Sequence, residues 1–448
     1  MTPTVVGGGL AGCEAAWALA ERGVAVTLVE MRPVVRTAAH QTDRLSELVC
    51  SNSFKSIELH NAHGLLKAEL RDMGSLLLPL ADEARVPGGA ALAVDRDIFS
   101  QLAHDKVNGH RLITVVRREV TDLPDAGVIA TGPLTSTALA ESIAARLGAG
   151  ALAFYDAIAP IVSAESLDHD RLYALSRWGK GGGDDYLNAP LTREEYEKLI
   201  DELVAADQFH GHDFDDAAYF EGCLPVEEMA KRGRETLRFG PMKPIGLPDP
   251  RTGREPYAVV QLRREDRGGQ MWNLVGFQTR LRIPEQQRVL RQIPGLGGAE
   301  FFRYGSIHRN SYINAPASLG PALQLRDGAP VFFAGQLTGV EGYTESLGTG
   351  ILAGINLARV LQGEAPAVPP PTTMLGALLR YLAEANPAHF QPMNANFGLL
   401  DPLTKVAKSD RKAAFVDRAR ADFAAWLPST RAMGGIGVAP ADPSLRSG

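Results

Sequence analysis

The sequence predicts an α/β protein, with a Rossmann-like dinucleotide-binding domain split by an inserted α+β domain. Three observations carry this reading. A short apolar run meets the glycines Gly7, Gly9 and Gly12 and, one helix later, a second run ends on Glu30. Far along the chain another apolar run, Val331-Phe332-Phe333-Ala334, runs into Gly335. Between about Pro160 and Arg303 the alternation of strand and helix breaks down.

The first unit justifies itself residue by residue. Thr4–Val6 is β-branched and suits a buried strand, while Leu10–Arg22 is rich in Ala, Leu and Glu and suits a helix. Gly7, Gly8, Gly9, Leu10, Ala11 and Gly12 form the turn and helix start. The first spaced glycine allows the bend, the second admits a pyrophosphate, and the third lets helix pack on strand. The helix N-terminus then offers N–H groups to phosphate. Val24–Val29 is the second strand, and Glu30 is placed to accept hydrogen bonds from a ribose. Strand, glycine turn, helix and acid together predict a bound dinucleotide.

Met31–Lys55 carries few strand signals and reads as a loop leading into a helical turn at Leu45–Val49. Leu65–Leu78 has helical spacing, Asp95-Arg96-Asp97 opens a helix to about Lys106, and Leu112–Val116 is a strand. Val128–Ala130 is a strand running into Thr131, Gly132 and Pro133, which suits a strand stopping beneath a cofactor, and Ser136–Leu147 is a helix. The inserted region carries the glycine cluster Lys180-Gly181-Gly182-Gly183, an acidic helix at Arg193–Ala206, strands at Tyr257–Leu262 and Trp272–Leu281, and a basic stretch from Lys231 to Lys243. After Gly335 a helix is expected over Gly348–Leu361. A proline-rich connector and helices at Met374–Ala385 and Ala407–Trp426 follow. The expected organisation is a first domain over 1–160 and 304–427, an insert over 161–303, and a disordered tail over 428–448.

Composition narrows the function. A chain of 448 residues, 45% hydrophobic and 22% charged, is ordinary for a soluble globular protein. Its net charge of −6 argues against global attraction to nucleic acid, so any RNA site must be a local basic patch. With no leader pattern and no run of some eighteen apolar residues, a cytosolic protein that does not span a membrane is expected. Cys13, Cys50 and Cys223 form no disulfide framework and no metal spacing, so they count as individual thiols, with Cys13 in the core. No second strand-turn-helix glycine fingerprint is present, which argues against a built-in NAD(P)H domain.

At this point the residues resemble a known family. The Gly7–Gly12 turn combines with Cys50-Ser51-Asn52-Ser53-Phe54-Lys55, Phe220-Glu221-Gly222-Cys223-Leu224-Pro225, Phe239-Gly240-Pro241-Met242-Lys243-Pro244, and Ala334-Gly335-Gln336 to Gly342-Tyr343. This set is similar to the folate- and FAD-dependent tRNA (uracil-5-)-methyltransferases, the TrmFO family, from the first strand to about Trp426. That family is related to the wobble-uridine enzyme GidA (MnmG). The resemblance implies a glutathione-reductase-type FAD domain, with FAD on Gly7–Glu30, Thr131 and Gly132, closed over by Gly335, Gln336, Gly348 and Gly350. It also implies methylation of the T-loop uridine in the T-arm of tRNA, with 5,10-methylenetetrahydrofolate as donor, NAD(P)H as reductant and no obligate protein partner. One departure is Ala189, where relatives often carry cysteine.

Uracil C5 is a poor nucleophile, and a thiolate adding at C6 turns it into an enolate that takes up a one-carbon unit. One thiol is then needed to attack and a base to remove the C5 proton. Cys223 precedes Pro225, read as the first residue of a helix to Arg232 whose N–H groups favour thiolate, so it is the expected nucleophile. Cys50, beside Ser51, Asn52 and Lys55, is the expected base, and the two roles can be exchanged. His308 and Tyr343 are the candidates to meet folate. Lys231, Arg232, Arg234, Arg238 and Lys243, with Lys405, Lys408, Arg411 and Lys412 as a second cluster, are the candidates for tRNA phosphate. The alternatives are a GidA-like wobble-uridine modifier and a small-molecule flavin oxidoreductase.

Overall fold

The computed structural model describes residues 2–37, 39–148, 152–209, 224–404, 406–407 and 409–430, with the backbone alone at 152–158 and 307–311. Its first sheet has five parallel strands in the order Val331–Phe333, Gly127–Ile129, Thr4–Val6, Val26–Glu30 and Ile113–Arg117. Val5, Leu28, Val128 and Phe332 are fully buried, as strands covered on both faces require. The helix Leu10–Ala20 is buried along nearly its whole length because its residues are small and apolar. It lies against the long helix Tyr343–Leu361 at backbone distance. A Cβ added to Gly350 would sit 2.3 Å from Ala11 O, and one added to Gly354 would sit 2.5 Å from Ala15 O.

Two buried carboxylates tie other helices to this core. Glu69 accepts from the N–H groups of Met374 and Leu375, both at 2.8 Å, at the start of Met374–Glu384. Glu14 does the same for Leu76 and Leu77, both at 3.0 Å, at the start of Leu77–Glu83. Burial pushes the Glu69 carboxyl up to about 8 and that of Glu14 up to about 7.

The second sheet is antiparallel, in the order Tyr173–Ala174, Tyr186–Leu191, Ala258–Arg264, Met271–Leu274, Ile161–Ser163 and Phe301–Arg303. Ala258, Val260 and Leu262 point into a separate apolar core with residues of the helices Arg193–Ala205, Val226–Arg232 and Ile283–Leu290. Gln261 and Arg263 alternate onto the opposite face, where Gln261 meets Arg177 and Arg263 reaches Asn52 of the first domain. An antiparallel pair, Leu152–Ile158 with Ser306–Tyr312, carries the chain out to this sheet and back.

The seam between the sheets is polar and bonded along its length. Asn52 Nδ2 donates to Val94 O and Arg264 O, at 2.9 and 2.8 Å, while its Oδ1 accepts from Arg263 Nε at 3.0 Å. Farther along, the buried Asp185 carboxylate accepts from Gly89 N–H at 2.6 Å, and Tyr186 donates to Gly88 O at 3.0 Å. The glycine cluster serves this latch, since a Cβ on Gly181, at φ +70°, would meet Gly89 Cα at 2.6 Å.

Several elements differ from expectation. No helix forms at Leu45–Val49, where Ser46 adopts φ +54°, and Ser53–Ser56 is a strand. The segment Leu65–Leu78 is split into Ala62–Asp72 and Leu77–Glu83, with Gly74 at φ +83° between them. The strand expected to reach Leu281 stops at Leu274, where Gly276 turns at φ +77° against Pro241. The final helix begins at Arg411, and the first residues of the tail expected to be disordered from 428 belong to a short 3-10 turn, Leu427–Thr430, with Thr430 buried. Residues 431–448 lie outside the described ones. No helix among the described residues is long and apolar enough to cross a membrane.

Candidate functional site: a glycine-lined cleft with a thiol loop

The carboxyl ends of all five parallel strands converge on one cleft, as expected for a doubly wound sheet. Its open space is about 1010 Å³, including the mouth. Of the residues expected to hold a cofactor, Gly7, Gly9, Leu10, Ala11, Glu30, Thr131, Gly132, Gly335 and Gln336 line it, as does Tyr343. Gly8 and Gly12 stand behind the wall. Gly8 N–H donates to Glu30 Oε2 at 2.8 Å, and Gly12 packs so tightly that a Cβ would lie 1.8 Å from Gly7 O. Gly348 and Gly350 do not line the cleft. Gly348 meets Leu70 and Leu375, and Gly350 meets Ala11, so both serve helix packing.

The turn is shaped for a phosphate. Gly7 sits at φ +102°, where a Cβ would meet Ala130 O at 2.5 Å, whereas a Cβ on Gly9 would meet nothing within 4 Å. Gly9 caps the first helix without a side-chain bond, and its first turn carries no acid. Free helix N–H groups beside open space make an anion site. Glu30 accepts from Arg32 N–H at 3.0 Å and Arg32 Nε at 2.9 Å, in addition to Gly8. Burial opposes its charge, but Arg32 and the Gly8 amide outweigh that and hold its carboxyl below the usual range. It stays ionised, with about one acceptor position left for a further donor.

At one end of the cleft Tyr343, the first residue of its helix, reaches the Cys50 loop. Its hydroxyl accepts from Cys50 N–H at 3.0 Å and Ser51 N–H at 3.2 Å, and its ring lies 5.5 Å from Phe54. Burial, and then the neighbouring thiol, raise the phenol above its ordinary range, so it keeps its proton. The other side of the same peptide is held by Arg96, which donates to Leu48 O at 3.0 Å and Cys50 O at 3.1 Å. Arg96 Nε is anchored on Glu265 Oε2 at 2.7 Å. Burial works against this guanidinium, and Glu265 more than compensates. A second guanidinium, Arg303, is pushed down by burial and by Arg96, and it too interacts electrostatically with Cys50 and Tyr343. Cys50 itself is half-buried, whereas Cys13 is core, its thiol pushed up to about 12 by burial. Arg96, Arg303 and Glu265 were not expected from sequence. Their only signal there is the Asp95-Arg96-Asp97 helix start.

Beneath Tyr343 lies a buried charge cluster. Glu345 accepts from Ala395 N–H at 2.9 Å and faces His63 Nδ1 at 3.2 Å. Burial opposes its ionisation, but His63 and Lys55 bring its carboxyl down to about 2. Below its ordinary value the folded state binds the proton less readily than the unfolded chain. The stabilisation is therefore complete above about pH 4.5 and lost as pH falls toward 2. On the order of 3 kcal/mol is expected. In urea titrations the stability gap between the native protein and Glu345→Gln should narrow from pH 6 to pH 3. A constant gap would contradict this assignment.

The remaining expectations fare unevenly. Cys223, Lys405 and Lys408 lie outside the described residues, as does the side chain of His308, whose backbone pairs with Asp156. The helix after Cys223 begins at Val226, with Pro225 as its cap. Its first N–H is taken by Gln278 O at 2.7 Å, and Glu227 and Glu228 occupy its first turn. The helix-end argument for a Cys223 thiolate loses its support there. Among the basic residues, Lys231 pairs with Glu228, Arg234 with Asp201, and Arg238 with Glu235. Arg238 also stands 4.4 Å from the Tyr257 ring centroid. Arg232, Arg411 and Lys412 are exposed and Lys243 is half-buried.

The chain is similar to known proteins along nearly its whole length. The family model described as glucose inhibited division protein A matches residues 2–365. The "Methylenetetrahydrofolate--tRNA-(uracil-5-)-methyltransferase TrmFO" of Geobacter sulfurreducens is 59% identical over 427 residues, covering 95% of this chain and 98% of that protein. The protein of the same name from Thermus thermophilus is 53% identical over 425 residues, covering 94% and 96%. Among solved structures, Aquifex aeolicus GidA superposes with a TM-score of 0.69 at 18% identity, over 95% of this chain and 76% of that one.

Proposed function

Because the chain belongs to the glucose inhibited division protein A family and, within it, to the TrmFO methyltransferases, we propose that it methylates a uracil of tRNA at C5 with the one-carbon unit of 5,10-methylenetetrahydrofolate. In this reading the target is the T-loop uridine, FAD is the resident cofactor, and NAD(P)H from solution is the reductant. When bound, FAD supplies the hydride that completes the methyl group.

The chain's own residues do the rest. The open face of Gly9 and the N–H groups at the start of Leu10–Ala20 hold the pyrophosphate, and the ionised Glu30 takes the ribose. Cys223 thiolate adds to uracil C6, and C5 then bonds to the one-carbon unit. Cys50 removes the C5 proton as tetrahydrofolate leaves the one-carbon unit, which gives an exocyclic methylene on the Cys223 adduct, and once hydride has converted that methylene to methyl the C6–S bond breaks and releases the thiolate. Two guanidinium groups near Cys50 suit a sulfur that must spend part of the cycle as thiolate. The Tyr343 hydroxyl is committed to the Cys50 loop, which leaves its ring to meet folate, with His308 as the second candidate. Of the described basic stretch, Lys231, Arg234 and Arg238 already have acidic partners, and Lys243 is the better tRNA contact.

The observation that carries the proposal is that one residue, Tyr343, both lines the cofactor cleft and fixes the Cys50 peptide. Purified protein should be yellow and should transfer labelled carbon from methylenetetrahydrofolate to tRNA. Cys50→Ala and Cys223→Ala should keep the colour and lose the transfer. Methylation that proceeds with S-adenosylmethionine and without folate would refute the scheme.

A further inference from the structure

The stretch Phe239–Pro244 belongs to the sequence motifs yet contributes nothing to the cleft. Its Met242 is fully buried, while Phe239 is 71% exposed and Ile245, just beyond it, is 46% exposed. Against this connector lies Trp178, 65% exposed and held at φ +55°, ψ +29°. A bulky residue in the left-handed region is costly and persists only where its surroundings dictate it.

Those surroundings are plain. Trp178 N–H donates to Gly246 O at 3.1 Å, and a Cβ on Gly246 would meet the indole Nε1 at 2.5 Å. Arg177 donates to Lys243 O at 2.8 Å, to Ile245 O and to Gln261 Oε1 at 3.2 Å, so it fastens the connector to the strand Ala258–Arg264. The Asp185 latch to Gly89 fixes the same loop to the first domain. This scaffolding holds the Trp178 ring out in solvent, where burial gains nothing, beside a connector that begins at the exposed Phe239.

Each ring has a cation beside it. The Arg177 guanidinium is 5.8 Å from the Trp178 ring centroid, and that of Arg238 is 5.7 Å from the Phe239 ring centroid. Lys243 lies on the connector between them, and the nearby Glu255 carboxylate is occupied by Gly246 N–H at 2.7 Å. Exposed rings interleaved with cations are how proteins hold unpaired bases of an RNA loop. The position also fits. Gln261, which touches Arg177, and Arg263, which bonds Asn52 two residues from Cys50, share one face of one strand, about 7 Å apart.

Resting on the methyltransferase reading above, we propose that Trp178 and Phe239 form a stacking platform for unpaired tRNA bases beside the target uridine. The net charge of −6 makes such a local platform more necessary, because the protein as a whole does not attract RNA.

The test uses full-length, FAD-loaded protein and unmodified tRNA in a filter-binding titration. Trp178→Ala and Phe239→Ala should each weaken tRNA binding by about tenfold, the double variant should weaken it further, and Trp178→Phe should restore most of the loss. Flavin absorbance, melting temperature and the salt dependence of binding should stay as in the unaltered protein. A double variant that binds tRNA within twofold of the unaltered protein overturns the platform and leaves the methyltransferase reading intact. Unaltered protein that fails to bind tRNA overturns both. A double variant that loses self-association but keeps its tRNA affinity shows a protein contact and also overturns the platform.

Discussion

Replacing Gly12 by alanine should yield protein that holds no FAD and melts far below the native form. The added Cβ would lie 1.8 Å from Gly7 O and 3.0 Å from Gly7 C, both backbone atoms, so no rotamer change relieves the clash. The turn cannot retreat, because Gly7 is bonded to Val29 O at 2.8 Å and a Cβ's breadth from Ala130. Overpacking of this kind costs about 1–3 kcal/mol where side chains can adjust, and more where they cannot. Gly9→Ala provides the contrast. Its Cβ meets no protein atom, so the fold should survive with a native melting temperature, but the methyl projects where a pyrophosphate must sit and FAD affinity should fall. Flavin absorbance per chain and thermal unfolding read both. A Gly12→Ala protein that is yellow and melts normally would show that the turn is not the cofactor's seat.

The second large effect is expected at Arg96. Its removal leaves Glu265, 2% exposed, without its cation, and leaves Leu48 O and Cys50 O without a donor. Breaking a buried pair costs about 3–5 kcal/mol. Arg96→Ala should therefore lose methylation by about a hundredfold or more while flavin content, set at the other end of the cleft, changes little. Arg96→Lys keeps the charge but lacks the planar fork that reaches two carbonyls and a carboxylate together, so it should recover stability better than activity. Mapping maleimide labelling by mass spectrometry should show altered reactivity at Cys50 in both variants. Near-normal turnover of Arg96→Ala would end the claim that the guanidinium presents the thiol.

What the sequence displayed depended on range. The unit from Thr4 to Glu30 was legible because strand, glycine turn and helix are contiguous and each glycine answers a local need. Val331–Gly335 was legible because a strand buried on both faces is a continuous apolar run. Leu45 and Leu48 misled by imitating helical spacing. Both are buried in the main core, from a loop that Ser46 turns at φ +54°. Ser53–Ser56 is too polar to announce a strand. Gly348 and Gly350 were legible as important and misassigned as to partner, since a glycine does not declare which backbone approaches it. Arg96 and Glu265, 169 positions apart, left no pattern at all, because their meeting is produced by the seam between two sheets.

The contact of Gly350 and Gly354 with Ala11 and Ala15 makes the two helices a single lever. One end of it is the glycine turn at Gly7–Gly9, and the other is the Tyr343 hydroxyl that steadies the Cys50 loop. A methyl group at Gly350 touches neither cofactor nor thiol, yet it would push the long helix back as a rod and misplace the sulfur.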